Sequence, residues 1–455
     1  MTDLRMADAD LTAARDRGTH APAGVPIKRT SPGATTRSPV LPILGGLAAG
    51  AVLAVALLLG PASGGSEGLV TGSVLLGFGL AWGLMAVLTT RFSAQPQTWM
   101  AVPAAFLGSI GLVLIVFQPG PAVMDLLSWA WPPALAILAA WMVVQVRRQL
   151  RGRGRWLMAP VIAALFVVAL GGAVATLSAA TSSSAAARAG RMIDVGGHHL
   201  YIECVGTGSP VVVLQSGLGE SSSYWGQIVP DVAASTTVCA YDRAGHGRSE
   251  AVAGPQDGIA LATDLHTLLE RAGVAGPYVL VGHSSGGAYV RVFADRFPDE
   301  VAGMVLLDAQ PADAFTALPD YPATYRTLRT IYSLSPSLAR IGLLGPVLGL
   351  PADQSTPAAG RGARDEVLAL PAALQEAQAL TSLGDRPLIV VSAGSGQQTG
   401  WLDAQDELPL LSTNSTHRVL EEATHTSLIS GIDAPTSAQA IVDVVAAIRT
   451  RTAVR

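Results

Sequence analysis

The stretch Tyr278-Val279-Leu280-Val281-Gly282-His283-Ser284-Ser285-Gly286-Gly287 decides the fold of the second half of the chain. An apolar, β-type run leads into a Gly-x-Ser-x-Gly pentapeptide, and a helical pattern follows from Ala288. This order is typical of a buried strand that turns sharply into a helix, with Ser284 at the apex. Glycine at 282 and 286 lets neighbouring backbone pass close to the strained turn. The stretch predicts a turn that presents Ser284 as a nucleophile, against the plainer alternative of a glycine-rich structural turn.

The composition indicates a membrane-associated region. Half of the 455 residues are hydrophobic and only 14% are charged, and the mean hydropathy is +0.42. The apolar excess lies in residues 1–180 rather than along the whole chain, so the composition changes between two regions. A net charge of −4 gives no indication of a nucleic-acid partner, and no motif indicates a cofactor or a metal.

Five apolar stretches follow a polar tail, residues 1–38, that we predict to be disordered. Each stretch has about the 20 residues that cross a bilayer as a helix; they cover 40–59, 68–88, 99–117, 126–146 and 156–177. A buried soluble bundle is the alternative, but no amphipathic helix is available to cover it. The spans hold almost no ionisable side chains, which favours an anchor over a transporter. We therefore predict a five-helix transmembrane region over residues 39–178.

Basic residues predict the orientation of this region. They occur in the tail and in the second and fourth connections: Arg5, Arg15, Arg17, Lys28, Arg29, Arg37, Arg91, Arg147, Arg148, Arg151, Arg153 and Arg155. The first and third connections carry none. Because cations are retained in the cytoplasm, the tail is predicted there, and five spans would place the C-terminal part on the extracytoplasmic side.

A small-residue linker over residues 179–191 leads to a region of a different pattern. From residue 192 to 455, short β-branched runs alternate with helical segments, which predicts an α/β domain with a mainly parallel sheet. Eight strands are predicted, near 192–195, 199–205, 211–214, 236–241, 278–281, 303–307, 388–391 and 418–421. Helices are predicted near 223–233, 258–272, 285–296, 404–411 and 437–449.

Residues 192–450 resemble the α/β-hydrolase superfamily. Four motifs carry the resemblance, in order: Leu214-Gln215-Ser216-Gly217-Leu218-Gly219, Tyr241-Asp242-Arg243-Ala244-Gly245-His246-Gly247-Arg248-Ser249, the Gly-x-Ser-x-Gly turn, and Ala423-Thr424-His425. The resemblance implies an eight-stranded, mainly parallel sheet with a helical cap, which residues 309–384 fit.

The resemblance also implies a catalytic triad. Ser284 is the nucleophile, and His425 occupies the family's position for the base that takes its proton. The family's usual acid position, after the seventh strand, has no carboxylate before Asp403. A minority of members carry the acid after the sixth strand, where this chain has Asp308. Asp308 is therefore the preferred acid, with Asp403 and Asp406 as alternatives.

Two backbone amides are implied as donors to a tetrahedral oxyanion, those of Leu218 and Ser285. Ser216 stands where the family often has histidine, which leaves the detailed hydrogen bonding of that loop open. Asp242 and Arg243 are expected to brace the loops around the site. The two cysteines, Cys204 and Cys239, fall on strands that neighbour each other in the family, so a disulfide and two buried thiols are both open.

The leading hypothesis is a membrane-anchored serine hydrolase that cleaves an ester, apolar or lipid-like, through an acyl-enzyme. Epoxide hydrolases and haloalkane dehalogenases of this fold use an aspartate nucleophile, which Ser284 argues against. Two alternatives are a ligand-binding sensor domain on a membrane bundle and a peptidase of the same fold.

Overall fold

The computed structural model describes residues 38–60, 64–182 and 190–454. The tail predicted over residues 1–38 lies outside the described residues apart from Ser38, and so does most of the predicted linker. The last N-terminal helix continues to Ser182, so residues 179–182 are helical rather than part of a linker.

Six α-helices form the described part of the N-terminal region: α1 Val40–Leu59, α2 Glu67–Phe92, α3 Ala101–Phe117, α4 Pro121–Leu127, α5 Trp131–Gln149 and α6 Arg153–Ser182. Among the described helices, four are long and apolar enough to cross a membrane: α1, α2, α6, and α3 together with the 3₁₀ turn Thr98–Met100 that precedes it. The fourth predicted span, 126–146, falls on α4 and α5, which meet at 42°. The described helices thus support four spans, or five if the bent pair crosses as one.

Small residues allow these helices to approach closely. A Cβ atom on Gly50 of α1 would lie 2.1 Å from the Cβ of Ala81, and one on Gly79 of α2 would lie 2.5 Å from the backbone nitrogen of Gly108. Outward from these contacts, large apolar side chains such as Val52 are exposed. Helices packed through small residues and apolar on their outer faces are compatible with a lipid surrounding.

The C-terminal domain is built on an eight-stranded sheet in the order β1-β2-β4-β3-β5-β6-β7-β8. Its strands are β1 Arg191–Asp194, β2 His199–Val205, β3 Val211–Gln215, β4 Val238–Tyr241, β5 Tyr278–His283, β6 Val301–Leu307, β7 Leu388–Ala393 and β8 Ser415–Leu420. β2 pairs with both of its neighbours antiparallel, and every other pairing is parallel. The predicted eight strands and their mainly parallel arrangement are confirmed.

Helices cover both faces of the sheet. They are α7 Val229–Ala233, α8 Gly258–Ala272, α9 Ser285–Arg296, α14 Trp401–Asp406, α15 Ser427–Ser430 and α16 Ala434–Thr450. Alternate strand residues pack on opposite sides: Val213 and Leu280 contribute to one cluster, and Val212 and Val281 to the other. Burial on both faces explains why the central strands are continuous apolar runs.

Four helices lie between β6 and β7, where the sequence predicts the cap: α10 Ala314–Ala317, α11 Tyr321–Arg340, α12 Leu344–Leu348 and α13 Pro357–Ala377. The helix predicted over residues 404–411 is divided into α14 and a short 3₁₀ turn, Leu408–Leu411, because Pro409 interrupts it.

Cys204 and Cys239 form a disulfide bond. They lie directly opposite each other on the antiparallel strands β2 and β4. The alternative of two buried thiols does not apply, and the bond fixes the register of β2 against the parallel part of the sheet.

Candidate active site

Ser284 lies in the turn between β5 and α9. Its backbone angles are φ 55° and ψ −128°, a region that non-glycine residues rarely adopt. A Cβ on Gly282 would lie 2.6 Å from the Gly286 carbonyl oxygen, and one on Gly286 would lie 2.4 Å from that of Gln215. The two glycines are therefore needed because backbone passes through the space that a side chain would fill.

The loop formed by residues 216–220 lies beside Ser284. A Cβ on Gly217 would lie 2.9 Å from the Cβ of Ser284. Among the hydrogen bonds of the described residues, the N–H groups of Leu218 and Ser285 have no acceptor. The first N–H groups of a helix lack a partner within it, so the Ser285 amide at the start of α9 is available to a ligand.

Asp308 follows β6 directly and meets His425, which follows β8. The Nδ1 atom of His425 lies 2.6 Å from Asp308 Oδ2. The carboxylate also accepts hydrogen bonds from Trp401 Nε1 at 2.8 Å and Gln397 Nε2 at 2.9 Å. Asp308 has φ 41°, so two of the predicted site residues, Ser284 and Asp308, have strained backbones.

The ionised form of Asp308 is favoured although the side chain is fully buried. Burial raises its pKa, but the hydrogen bond and charge of His425 and the bonds from Trp401 and Ala393 outweigh burial and lower the pKa overall. A carboxylate that accepts from Nδ1 holds the imidazole so that Nε2 can act as a base.

His425 approaches the serine turn through its backbone and ring. His283, the residue before Ser284, lies with Nε2 3.1 Å from the His425 carbonyl oxygen, and the two ring centroids are 4.6 Å apart. The described structure forms no hydrogen bond between the Ser284 hydroxyl and the His425 ring, whose side chain is 38% exposed.

Neither alternative acid pairs with His425 among the described ion pairs. Asp406 pairs with His417, at 2.8 Å between Oδ1 and Nδ1, and its side chain is 69% exposed. Asp403 is exposed on α14. Of the three candidate carboxylates, the structure brings only Asp308 to the His425 ring.

A second carboxylate–imidazole pair joins the 216–220 loop to the His425 backbone. Glu220 Oε2 accepts from the Gly217 N–H at 2.7 Å and lies 3.2 Å from His283 Nδ1. Burial lowers the pKa of His283, but the charge and hydrogen bond of Glu220 outweigh burial and raise this pKa overall. Burial raises the pKa of Glu220, but the charge and hydrogen bond of His283 outweigh burial and lower that pKa overall. A protonated His283 can then donate from both nitrogens, to Glu220 and to the His425 carbonyl oxygen.

A third network holds the 216–220 loop from the cap. Glu366 of α13 accepts from the Gly219 N–H at 2.8 Å and pairs with Arg243 and His246, each at 2.9 Å. Arg243 in turn donates to the carbonyl oxygens of Ser216 and Gly217, each at 2.7 Å. Burial raises the pKa of Glu366, but the Arg243 charge and its other partners lower it to about 2.

The expected roles of Asp242 and Arg243 as braces are observed. Asp242 accepts from the N–H groups of Ser222 and Arg248, at 2.6 and 2.9 Å. Trp225 Nε1 donates to Ser216 Oγ at 2.8 Å, so this serine keeps a structural hydrogen bond where the family often has histidine.

The sequence patterns do not identify Glu220, His283 or Glu366 as members of the site. The His283 side chain is fully buried in this network. Glu366 falls in the apolar stripe of α13, beside residues such as Val367 and Leu370. A carboxylate at such a position is costly to bury without a partner, and this signal could have identified it.

The carboxylates and imidazoles of the site meet in pairs rather than in larger groups. Asp308 with His425 and Glu220 with His283 are two such pairs. No cluster of three or more side chains that could hold a metal ion occurs within residues 38–60, 64–182 and 190–454.

Residues 210–345 match the family model described as alpha/beta hydrolase fold. A probable transporter of Hormonema carpetanum is 30% identical over 137 residues, 28% of this chain and 20% of that protein. A lipase of Mycobacterium tuberculosis is 36% identical over 136 residues, 27% of this chain and 50% of the lipase. A bifunctional esterase/perhydrolase of Acinetobacter calcoaceticus is 39% identical over 105 residues, 23% and 38% of the two chains.

The chain thus spans half or less of the length of these relatives. The match over 210–345 covers β3 to the middle of the cap, including the 216–220 loop and the Ser284 turn. Together with the sheet order and the helices on both faces, it shows that the C-terminal domain has the α/β-hydrolase fold.

Proposed function

We propose that this protein is a serine hydrolase that cleaves esters through an acyl-enzyme intermediate. The observation that carries the proposal is the contact of the buried Asp308 with His425 at the edge of the sheet where Ser284 is held in a strained turn. Strand ends at this edge are where open α/β sheets bind their ligands. In this proposal Ser284 is the nucleophile, His425 the base and Asp308 the acid.

The chemistry follows from the hydrogen-bond donors. His425 donates Nδ1–H to Asp308, which leaves Nε2 to take the proton as Ser284 Oγ attacks the ester carbonyl carbon. The amides of Leu218 and Ser285 donate to the oxyanion, each worth ~3 kcal/mol in such sites. The imidazolium then returns the proton to the leaving alcohol, and a water activated by the same ring hydrolyses the acyl-enzyme.

The lack of a hydrogen bond between the Ser284 hydroxyl and the His425 ring in the described structure is consistent with a site that closes on substrate. Hydrogen bonds between nucleophile and base are often formed only in the substrate complex. His425 is on the loop after β8, and its side chain is partly exposed.

The names of two relatives favour an ester substrate, since one is a lipase and another an esterase/perhydrolase. An apolar ester is favoured by the cap segment 341–350, which is almost entirely apolar. This segment begins against the N-terminal helices, where a Cβ on Gly171 would lie 2.3 Å from the Ile341 carbonyl oxygen.

The N-terminal region is proposed to anchor the domain in a membrane by five spans, with α4 and α5 together as the fourth. The distribution of arginine and lysine then places the N terminus in the cytoplasm and the catalytic domain outside. The Cys204–Cys239 disulfide supports this orientation, because such bonds persist in oxidising compartments.

Labelling with a fluorophosphonate tests the catalytic proposal. The full-length protein in detergent should be labelled to about one probe per chain, and Ser284→Ala should abolish labelling because the attacking oxygen is removed. Ser430→Ala, at an exposed serine on α15, is the matched control and should label normally. A folded wild-type protein that resists the probe would instead favour a binding or sensor domain.

A further inference from the structure

A cluster of four charged side chains joins the cap to the N-terminal helices. We call it the interhelical cluster: Glu67 of α2, Asp125 of α4, Arg340 of α11 and Arg361 of α13. Arg340 lies 2.5 Å from Glu67 and 2.9 Å from Asp125, and Arg361 lies 3.1 Å from each acid. Arg340 also donates to the Met124 carbonyl oxygen at 2.8 Å.

Two of the four members, Glu67 and Arg340, are buried, and Arg361 is largely shielded from solvent. The side chains of Glu67, Arg340 and Arg361 are 4%, 6% and 11% exposed, and that of Asp125, at the edge of the cluster, is 50% exposed. Removing one member of a buried cluster leaves an uncompensated charge, which is strongly destabilising for that contact. The cluster therefore fixes how α11 and α13 are seated on the N-terminal helices.

Helix α13 continues from this cluster to the 216–220 loop. Arg361 lies in its first turns, and Glu366 follows five residues later, roughly 7–8 Å along the helix axis. Between them, Gly362 lies against the turn after β4, where a Cβ would be 2.4 Å from the Gly245 carbonyl oxygen. A helix held this closely cannot shift at one end without moving the other.

Glu366 completes the immobilisation of the Leu218 amide. On one side of Leu218, Gly217 is held through its N–H by Glu220 and through its carbonyl oxygen by Arg243. On the other side, Gly219 is held through its N–H by Glu366. Both neighbours of the proposed oxyanion donor are thus fixed by hydrogen bonds, and the bond to Gly219 comes from Glu366 of the cap.

We propose that α13 couples the N-terminal helices to the 216–220 loop, with Glu366 as a positioning residue that fixes the Leu218 amide. The inference rests on the proposed hydrolase function. It assigns the N-terminal helices a role beyond anchoring: they seat the cap helix that holds the oxyanion donor. Disturbing the interhelical cluster should then slow the chemical step without weakening substrate binding.

The positioning role is tested with Glu366→Gln in the full-length protein, assayed on a p-nitrophenyl ester in detergent. The variant should lose about tenfold or more in kcat with KM within about threefold, because a misplaced amide acts on the transition state. Glu376→Gln is the matched control, since Glu376 lies on the same helix and accepts from the Ile259 N–H instead. A Glu366→Gln enzyme with wild-type kcat overturns the role.

The coupling is tested separately at the other end of the helix. Arg361→Gln should lower kcat by about threefold or more, whereas Arg364→Gln should not, because Arg364 pairs only with Asp365 among the described ion pairs. Glu67→Gln, on α2, should produce the same loss, and the double variant Glu67→Gln/Arg361→Gln should lose no more than the larger single loss. This comparison decides the coupling even if Glu366→Gln fails to fold.

Two results overturn the coupling: wild-type kcat in both Arg361→Gln and Glu67→Gln, or losses that multiply in the double variant. Fluorophosphonate stoichiometry separates the two proposals. Every folded variant should still reach one probe per chain, only more slowly. Failure of the wild type to label would remove the hydrolase function itself, whereas normal labelling with unchanged rates in the variants would remove only the coupling.

Discussion

Two buried carboxylates in this domain each meet an imidazole, and they differ in what surrounds the ring. Asp308 holds His425, whose side chain is 38% exposed, while Glu366 holds His246, whose side chain is 4% exposed. Glu366 also pairs with Arg243, which supplies a permanent positive charge. An imidazole open to solvent can exchange a proton with a substrate, whereas a sealed one beside a guanidinium can only hold structure. The solvent exposure of the imidazole, rather than its pairing with a carboxylate, distinguishes the proposed catalytic pair from the positioning network.

The largest expected effect comes from breaking the pair of Asp308 and the partly exposed His425. Asp308→Asn should lower kcat by roughly 10³–10⁴-fold, because an amide at this position no longer fixes the imidazole tautomer or stabilises the imidazolium. Steady-state hydrolysis of a p-nitrophenyl ester by the full-length variant measures this loss.

Asp406→Asn is the control for that experiment. Asp406 also holds an imidazole, that of His417, but the carboxylate is largely exposed on α14. Its replacement should change kcat by less than about twofold, and so should Asp403→Asn, since screened surface charges contribute little. Equal, mild losses in all three variants would contradict the assignment of Asp308 as the acid.

The sequence predicts the parts of this arrangement that depend on local pattern. The Gly-x-Ser-x-Gly turn and the apolar strands follow from residues close in sequence, whereas the choice of Asp308 after β6 comes from the family resemblance. The family resemblance supplies the position of His425, which no local pattern would select among eight histidines.

The remaining contacts join residues that are distant in sequence. Glu366 meets the Gly219 N–H across 147 positions, and Arg340 meets Glu67 across 273. Nothing in either local pattern specifies the partner, because the cap could be seated on the sheet in many ways. Sequence also misses the bend between α4 and α5. A hydropathy pattern merges these two helices into one span, because hydropathy carries no information about the 42° angle between them.

The next largest effect concerns the buried pair of Glu366 and His246 and the stability of the protein in acid. The pKa of Glu366 is lowered from 4.5 to about 2, so its ionised form stabilises the fold above pH 4.5, and this stability is lost as the pH falls from 4.5 toward 2. The shift corresponds to on the order of 3 kcal/mol. Glu366→Gln should therefore lower the Tm of the full-length protein at neutral pH, and the difference from wild type should shrink steadily below pH 4.5.

Glu376→Gln sharpens this prediction as a control of opposite sign. Burial and the nearby charge of Asp257 raise the pKa of Glu376 overall, so its ionised form does not stabilise the fold. Its replacement should leave the Tm at neutral pH unchanged or slightly higher, because a neutral amide avoids the cost of burying the charge. A Tm difference for Glu366→Gln that stays constant from about pH 7 to about pH 3 would contradict the prediction.

The smallest expected effect comes from the third pair, Glu220 and His283, which lies beside the proposed catalytic histidine. Glu220→Gln removes the charge that keeps the pKa of His283 raised, while a neutral His283 can still donate Nε2–H to the His425 carbonyl oxygen. The loss in kcat should therefore be about tenfold or less, which corresponds to about 1.4 kcal/mol. The p-nitrophenyl ester assay measures it.

The pH dependence of stability distinguishes this pair from the other two. The raised pKa of His283 gives stability that is fully present below its ordinary value of 6.5 and lost as the pH rises through the folded value. The lowered pKa of Glu220 gives stability that is present above 4.5 and lost on acidification. The Tm difference between wild type and Glu220→Gln should thus be largest between pH 4.5 and pH 6.5, and it should shrink at lower and at higher pH.

A surface pair of the same chemistry shows whether burial produces that maximum. Glu250 and His199 lie 2.9 Å apart, with side chains 55% and 49% exposed. The Tm difference between wild type and Glu250→Gln should show no such maximum with pH, because solvent screens an exposed pair. An equal maximum in both variants would mean that burial beside His425 adds nothing to the pairing of Glu220 with His283.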